Sequence, residues 1–355
     1  MKKKLVLSCI LVLLVLSLAA CGGTQKEEVA EPETQLFTDS LGREVELPTS
    51  ITRVAPSGKV ATMILATIAP EYMVCVSEKP DNVNGKYLSD NLDALPVTGQ
   101  LYGGKSTLNL EQLLSCEPQV IIDLGDRKDG MAEELDTLQE QVGIPVVFLE
   151  ADVLHMEQMY RSLGQLLEGK NERGEELAAL AADTLSFAET LREKIREDER
   201  VRVMFTTGAD GLGTNAKGSS QAQVIELVGA ENAVVVENVV NKGGGNVISM
   251  EQLYLFDPDI ILFSPESYCD GAAQDPLWQP LTAVQNGRLY EIPAEPYNWM
   301  ANPPSINMLL GVWWLGELAY PQYCEYDIAE KTQEIFSVLW NYTLSDEEVA
   351  ALLHR

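Results

Sequence analysis

Apolar positions fall into distinct regimes along the chain. Leu5 to Leu18 is almost wholly apolar, yet shorter than the roughly 20 residues a helix needs to cross a bilayer core. Thr24 to Gln35 follows as a polar run without apolar anchors, the pattern of a flexible tether. Beyond it, short helical patterns alternate with β-branched runs. A fixed offset of 140 lays Asn109–Ile122 over Ser249–Leu262 without a gap. Glu, Gln, Leu, Pro and Ile coincide, and each copy reads as a short helix, a Pro-marked turn and a buried strand. A weaker echo pairs Ile64–Val74 with Val224–Val234. Between the copies, Leu177, Leu180, Leu185, Ala188, Leu191 and Ile195 recur at helical spacing, and no Pro interrupts Asn171 to Glu199. A helix of about 25 residues spans about 37 Å, enough for a stiff strut between two α/β halves.

The N-terminus and the composition narrow the setting. Lys2, Lys3 and Lys4 precede the apolar run, which ends in Leu18-Ala19-Ala20-Cys21 and then Gly22-Gly23. Residues 1–20 thus read as a lipoprotein signal peptide, with Cys21 the lipidated residue and 21–36 the tether; the alternative is an ordinary secretory signal with a chance Cys. The chain has 355 residues, 46% of them hydrophobic and 22% charged, and a net charge of −29. Without the three leader lysines, 22 basic residues face 54 acidic ones, a balance of −32. Such a surface argues against nucleic acid and against a grip on anionic lipid. Cys75, Cys116, Cys269 and Cys324 lie far apart, with no CxxC pair. Disulfides are permitted outside the cell but no pairing follows from sequence, and buried free thiols are the plainer reading. His155 and His354 are the only histidines, which excludes a His-rich metal site.

Several segments in this order resemble one family. Thr38-Asp39-Ser40-Leu41-Gly42-Arg43-Glu44-Val45-Glu46-Leu47-Pro48, then Arg53-Val54, is similar to its entry hairpin and first strand. The paired Glu-x-Leu…Pro-x-(Ile/Val)-Ile units are similar to its two lobes. Trp278-x-x-Leu281-x-Ala283-Val284-x-Asn286-Gly287-Arg288-Leu289-Tyr290 is similar to its second-lobe turn and strand, and Leu309-Leu310-Gly311 to Trp314-Leu315, then Tyr320-Pro321, to its C-terminal helix. Over residues 37–340 the chain resembles the class III substrate-binding proteins of ABC importers, which carry ferric siderophores, haem and cobalamin. The resemblance implies two Rossmann-like α/β lobes joined by one long helix, with ligand held in the cleft between them. The expected segments are an N-terminal lobe over 37–152, a connecting helical stretch over 153–199 and a C-terminal lobe over 200–355.

Glu111 and Glu251 occupy equivalent repeat positions, two places after the cap-type residues Asn109 and Ser249. A carboxylate in a first helical turn is favoured by the macrodipole alone. The resemblance further implies that this symmetric pair docks onto a permease dimer. Gly99-Gln-Leu-Tyr-Gly-Gly104-Lys105-Ser106 fits a nucleotide-binding P-loop letter for letter. That role is rejected: the leader removes the protein from ATP, the helix starts near Asn109, and no Walker B carboxylate is evident. Glycine N–H groups still cradle anions. Candidate ligand contacts are therefore Ser57, Tyr102, Gly103, Gly104, Lys105, Arg127 after the strand ending near Leu124, Lys217, Ser219 and Lys242 in Gly-containing loops, and the aromatic run Tyr297-Asn298-Trp299. The alternatives are solvated loop lysines and a packed loop plugging the second lobe. Met300, Tyr102 or Tyr297 are conceivable haem ligands, but no paired His supports haem.

These features predict an extracytoplasmic, monomeric receptor, lipid-anchored at Cys21, with no cofactor, no protein-bound metal and no nucleic-acid partner. It would capture an iron chelate and deliver it to an ABC permease dimer. Cobalamin, haem and molybdate or tungstate oxyanions are alternative cargoes. The rival of another class is an extracytoplasmic enzyme using a carboxylate pair, since no GxSxG, HExxH or Ser-His-Asp order is present. A third is a surface interaction protein without a small ligand.

Overall fold

β-Branched runs and the helical patterns beside them assemble into two main sheets, one all parallel and one mixed around a parallel centre. The computed structural model describes residues 33–80, 84–101, 107–241, 244–265 and 267–354. The expected leader and Cys21 lie outside these residues. By backbone contacts, Gln35–Arg355 form one compact unit.

The chain enters through a two-stranded ribbon, β1 (Thr34–Thr38) and β2 (Glu44–Pro48). Asp39 organises its turn. One carboxylate oxygen accepts the N–H groups of Leu41 and Arg43 at 2.9 and 3.0 Å, and the other accepts Arg43 Nε at 2.9 Å. The first sheet has the order β3 (Val54–Pro56), β4 (Val120–Gly125), β5 (Val146–Glu150), all parallel. Its helices are α1 (Lys59–Ile68), α2 (Leu110–Ser115) and α3 (Met131–Val142). Two helices follow, α4 (Met156–Leu166) and α5 (Asn171–Lys194). The second sheet is built from β6 (Arg202–Thr207), β7 (Gly213–Thr214), β8 (Glu231–Asn232), β9 (Asn246–Val247), β10 (Ile260–Phe263) and β11 (Leu289–Glu291). β11, β10 and β6 run parallel, and β7 and β9 extend the sheet antiparallel. Its helices include α6 (Gln223–Leu227) and α7 (Met250–Phe256). The chain ends in α8 (Asn307–Ala319), α9 (Ile328–Trp340) and α10 (Asp346–Leu352).

Each central strand is buried on both faces, which is why it reads as a continuous apolar run. Alternate side chains point to opposite faces. Val120, Ile122 and Leu124 of β4 enter the main core, while Ile121 enters a smaller cluster with Leu113, Leu135 and Phe148. In β10, Ile260 and Leu262 join the same main core, and Ile261 and Phe263 a third cluster with Trp278.

The two copies of the repeat share their punctuation as well as their hydrophobic pattern. Asn109 and Ser249 each accept the N–H of the residue three places on, Gln112 and Gln252. Each helix ends at a left-handed residue before Pro: Glu117 at φ 49° and Asp257 at φ 35°. An arginine at the start of the lobe's first strand, Arg53 just before β3 and Arg202 opening β6, then holds that carbonyl. Arg53 Nε donates to Glu117 O at 2.9 Å, and Arg202 Nη1 to Asp257 O at 3.1 Å. The residue after the Pro returns the bond: Gln119 Oε1 accepts the Arg53 N–H and Asp259 Oδ2 the Arg202 N–H. These contacts satisfy orphan carbonyls at the helix C-terminus and fix how far each helix overlaps its strand.

The connecting helix α5 has 24 residues and spans about 36 Å. It buries Leu177, Ala178, Leu180, Ala181, Thr184, Ala188 and Leu191. Its crossing with α4 is set by glycines: a Cβ on Gly174 would meet Gly164 Cα at 2.7 Å and Tyr160 O at 2.8 Å. The C-terminal helices return to the first lobe's side. Tyr87 packs edge-on against Phe336 and Tyr342, and Lys86 pairs with Glu348 at 2.6 Å.

Candidate functional site

In open parallel sheets the loops at the carboxyl ends of the strands face the ligand crevice. A cavity of about 270 Å³ lies at that edge of the first sheet. Ser57 and Lys59 line it after β3, Asp123, Asp126 and Lys128 at the end of β4, and Gln100 from the neighbouring loop. Pro303 and Pro304 close it from the segment that leads into α8. A larger cavity of about 780 Å³ opens elsewhere, between the C-terminal end of α1 and Trp340–Tyr342. Lys170 pairs with Glu71 and Arg173 with Glu176 on its wall, as Lys59 pairs with Glu78 beside the smaller one, so paired cations do not separate the two cavities and the buried polar groups decide. The chemistry argues for the smaller cavity.

Its floor is a buried carboxylate. Ser57 Oγ donates to Asp123 Oδ1, while Asp123 Oδ2 has no protein partner. Burial pushes the Asp123 carboxyl up to about 6, against the pull of Ser57, Lys128 and Arg43. Asp126, next along, is also raised, by burial and by Asp152. At the ends of β6 and β10, the hydroxyls of Thr206 and Ser264 are likewise buried and without protein partners. Such groups at the same edge of both sheets are the kind that water or ligand satisfies. Glu150, Asp152 and His155 bring ligand atoms within 4.8 Å of one another beyond β5. There Asp152 serves the turn into α4, accepting Leu154 N–H at 2.8 Å and facing His155 Nδ1 at 2.8 Å.

The family profile described as periplasmic binding protein matches residues 54–296, from the start of β3 through the end of the second sheet. The chain belongs to this family. Membership implies an extracytoplasmic protein, and among the described residues no helix is long and apolar enough to cross a membrane. This binding protein is 24% identical over 192 residues to the Fe(3+)-citrate-binding protein YfmC of Bacillus subtilis, covering 53% of this chain and 58% of that one. It is 29% identical over 191 residues to the vitamin B12-binding protein of Pectobacterium atrosepticum, covering 50% and 61%. The match thus spans about three-fifths of these curated relatives. An ABC transporter solute binding protein from Sulfurospirillum deleyianum superposes with a TM-score of 0.82 at 27% identity, covering 90% of this chain and 99% of that one.

The structure distributes the residues singled out by sequence unevenly. Ser57 is in the cleft. Tyr102, Gly103, Gly104, Lys105 and Lys242 lie outside the described residues. The flanks of the first glycine loop are anchored at the cleft, with Leu101 N–H donating to Ser57 O at 2.7 Å and Thr107 N–H to Gln100 O at 3.0 Å. The helix that follows starts at Leu110, not at the Gly-Lys as a P-loop requires. Arg127 is exposed, and its neighbour Lys128 lines the cavity instead. Lys217 borders a different cavity of about 250 Å³, with Arg192 and Glu231. Ser219 is buried and accepts Gln221 N–H. Trp299 is fully buried, with Nε1 donating to Glu295 O at 3.0 Å, and Asn298 Oδ1 accepts the N–H groups of Met300 and Ala301. These two side chains are spent on holding their own loop against α8, where Gly311 leaves no room for a Cβ beside Trp299 O. Tyr297 is half-buried against the core. Glu111 and Glu251 are both exposed in the first turns of α2 and α7. The Ser249 hydroxyl and its own backbone N–H hold Glu251 below the usual carboxylate range.

Sequence reasoning passed over Asp123 and Lys128. A lone carboxylate inside the strand Val120-Ile-Ile-Asp-Leu124 was the available signal, because burying a charge requires a partner or a purpose.

Proposed function

We propose that the protein is the solute receptor of an ABC importer and carries a compact anionic iron chelate of the ferric citrate kind. One observation carries the choice of cargo: the described cavity, about 270 Å³, falls just below the roughly 300–1,000 Å³ range of ligand sites, which favours a compact cargo. Lys128, and Lys59 in its pair with Glu78, bring cationic groups to its wall, and Ser57 and Asp123 form a polar floor. The glycine loop with Tyr102, Gly103, Gly104 and Lys105 completes the proposed contacts, together with Tyr297. Arg127 and Lys242 act by charge near the mouth. In this reading Glu111 and Glu251 dock on a permease dimer, the receptor is a monomer, and lipid on Cys21 anchors it.

The 29% identity to a vitamin B12-binding protein supports a corrinoid as the second reading. Thermal shifts of the chain from Gly22 onward against ferric citrate, cobalamin, haem, molybdate and tungstate separate the cargoes. A true ligand at 100 times its dissociation constant adds about 2.7 kcal/mol. A shift with cobalamin alone would select the corrinoid reading, and no shift with any of the five would sink the receptor proposal.

A further inference from the structure

Two of the four described cysteines meet in the first lobe. Cys75 and Cys116 are both buried and belong to one apolar cluster with Leu113 and Ile121. Each is fixed by the backbone around it. Val74 N–H donates to Val54 O and Val76 N–H to Pro96 O, both at 3.0 Å, which pins Cys75 between them. Cys116 closes α2: its N–H donates to Leu113 O at 3.1 Å, and Arg53 holds its carbonyl. Both cysteines therefore flank the Arg53-Val54 segment within one apolar cluster, near enough for their thiols to influence each other, and the Cys116 thiol donates to Gln112 O at 3.2 Å. Cys269 and Cys324 have other neighbours: Asp270 and Glu291 for the first, Tyr326 for the second.

We propose that Cys75 and Cys116 form a disulfide in the exported protein, closing a loop of about 40 residues that contains both the glycine loop at the cleft and the helix bearing Glu111. The extracytoplasmic setting of the family permits such bonds. The oxidant is a disulfide of an oxidised dithiol carrier, a protein or a small molecule. One Cys thiolate attacks a carrier sulfur, forming a mixed disulfide and releasing one carrier thiol. The second Cys thiolate attacks the bridging Cys sulfur and releases the other. The Cys pair is oxidised, the carrier is reduced, and both protons end on carrier sulfurs. Burial pushes the Cys75 thiol up to about 12, so the folded thiol exchanges slowly. The bond forms while the chain folds and is shielded afterwards.

The test is oxidative refolding of the reduced full chain in a mixture of reduced and oxidised glutathione. Iodoacetamide alkylation in urea without reductant and peptide mass mapping follow. The expected result is a linked peptide joining Cys75 to Cys116, lighter by two hydrogens than the sum of its parts, with loss of alkylation at both positions. Reductant added before alkylation restores it. In Cys75→Ser and Cys116→Ser the partner cysteine becomes alkylated. Alkylation of both in the unreduced wild-type chain, or linkage of either to another cysteine, would overturn the proposal, and this wild-type readout stands even if the variants fail to fold.

Discussion

Gly174→Ala tests how the connecting helix is seated, and its sign decides the matter. An added Cβ falls 2.7 Å from Gly164 Cα and 2.8 Å from Tyr160 O. Both obstacles are backbone, so no side chain can swing aside. Carbon contacts are comfortable from about 3.5 Å, so α4 and α5 must part by roughly 0.8 Å along a seam that also seats Leu177 and Ala178. Overpacking of this kind costs about 1–3 kcal/mol. Ala is the better helix former by about 1 kcal/mol, which offsets part of that. The net expectation is a loss of about 1 kcal/mol for Ala and clearly more for Val, whose branched Cβ adds two further methyls. Urea unfolding followed by circular dichroism reads this from the midpoint at unchanged slope. A Gly174→Ala variant more stable than wild type by about 1 kcal/mol would match propensity alone and refute the close crossing.

Asp123→Asn should flatten the pH dependence of stability. The folded-state carboxyl titrates near 6 against an ordinary 3.8, so the wild-type protein loses about 3 kcal/mol from this group as pH rises from below 4 through 6. Chemical denaturation of both proteins at several pH values checks it, and parallel curves would count against the assignment. Trp299→Ala should lower stability by about 3–5 kcal/mol, the cost of emptying a core site, as read by thermal melting; an unchanged melting temperature would show that the ring is not a core element. The double variant Glu111→Ala/Glu251→Ala should keep ligand affinity and melting behaviour while abolishing uptake in a whole-cell transport assay, and loss of ligand binding would refute the docking role. Arg202→Ala should cost about 1–2 kcal/mol through the unsatisfied carbonyl of Asp257, visible as a lower urea midpoint; wild-type stability would show that the cap is dispensable.

Much of the architecture was legible because its signals are local and periodic. The offset of 140 marks two helix–turn–strand units that the structure places in two sheets. The Pro-free stretch from Asn171 becomes one helix that stops at Lys194, five residues before the pattern's limit at Glu199. The carbonyl clamps of Arg53 and Arg202 were not legible, since an arginine at the start of a strand carries no periodic mark and its partner is distant in sequence. Glycine and lysine content drew Lys217 toward the cleft, but its loop returns along the strand and borders another cavity. For Tyr297-Asn298-Trp299, aromatic composition alone did not separate a ligand platform from a plug. The buried Trp299 indole donates to Glu295 O, so that ring packs its own loop, while Tyr297 stays half-buried. The approach of Cys75 to Cys116 depends on how the chain folds back across β3, which no spacing rule encodes.

The main apolar cluster has a consequence for how such a protein can be inherited. Leu47 and Ile122 of the first lobe, Leu177 of the connecting helix, Val203 of the second lobe, and Leu309 and Phe336 of the last helices all belong to it without interruption. An independent module owns its core; here the two halves co-own one. A fragment ending after α5 would lack Leu309 and Phe336, and a chimaera joined there would have to match two foreign surfaces at once. A substitution on one side of this shared core therefore has to be accommodated by both halves at once.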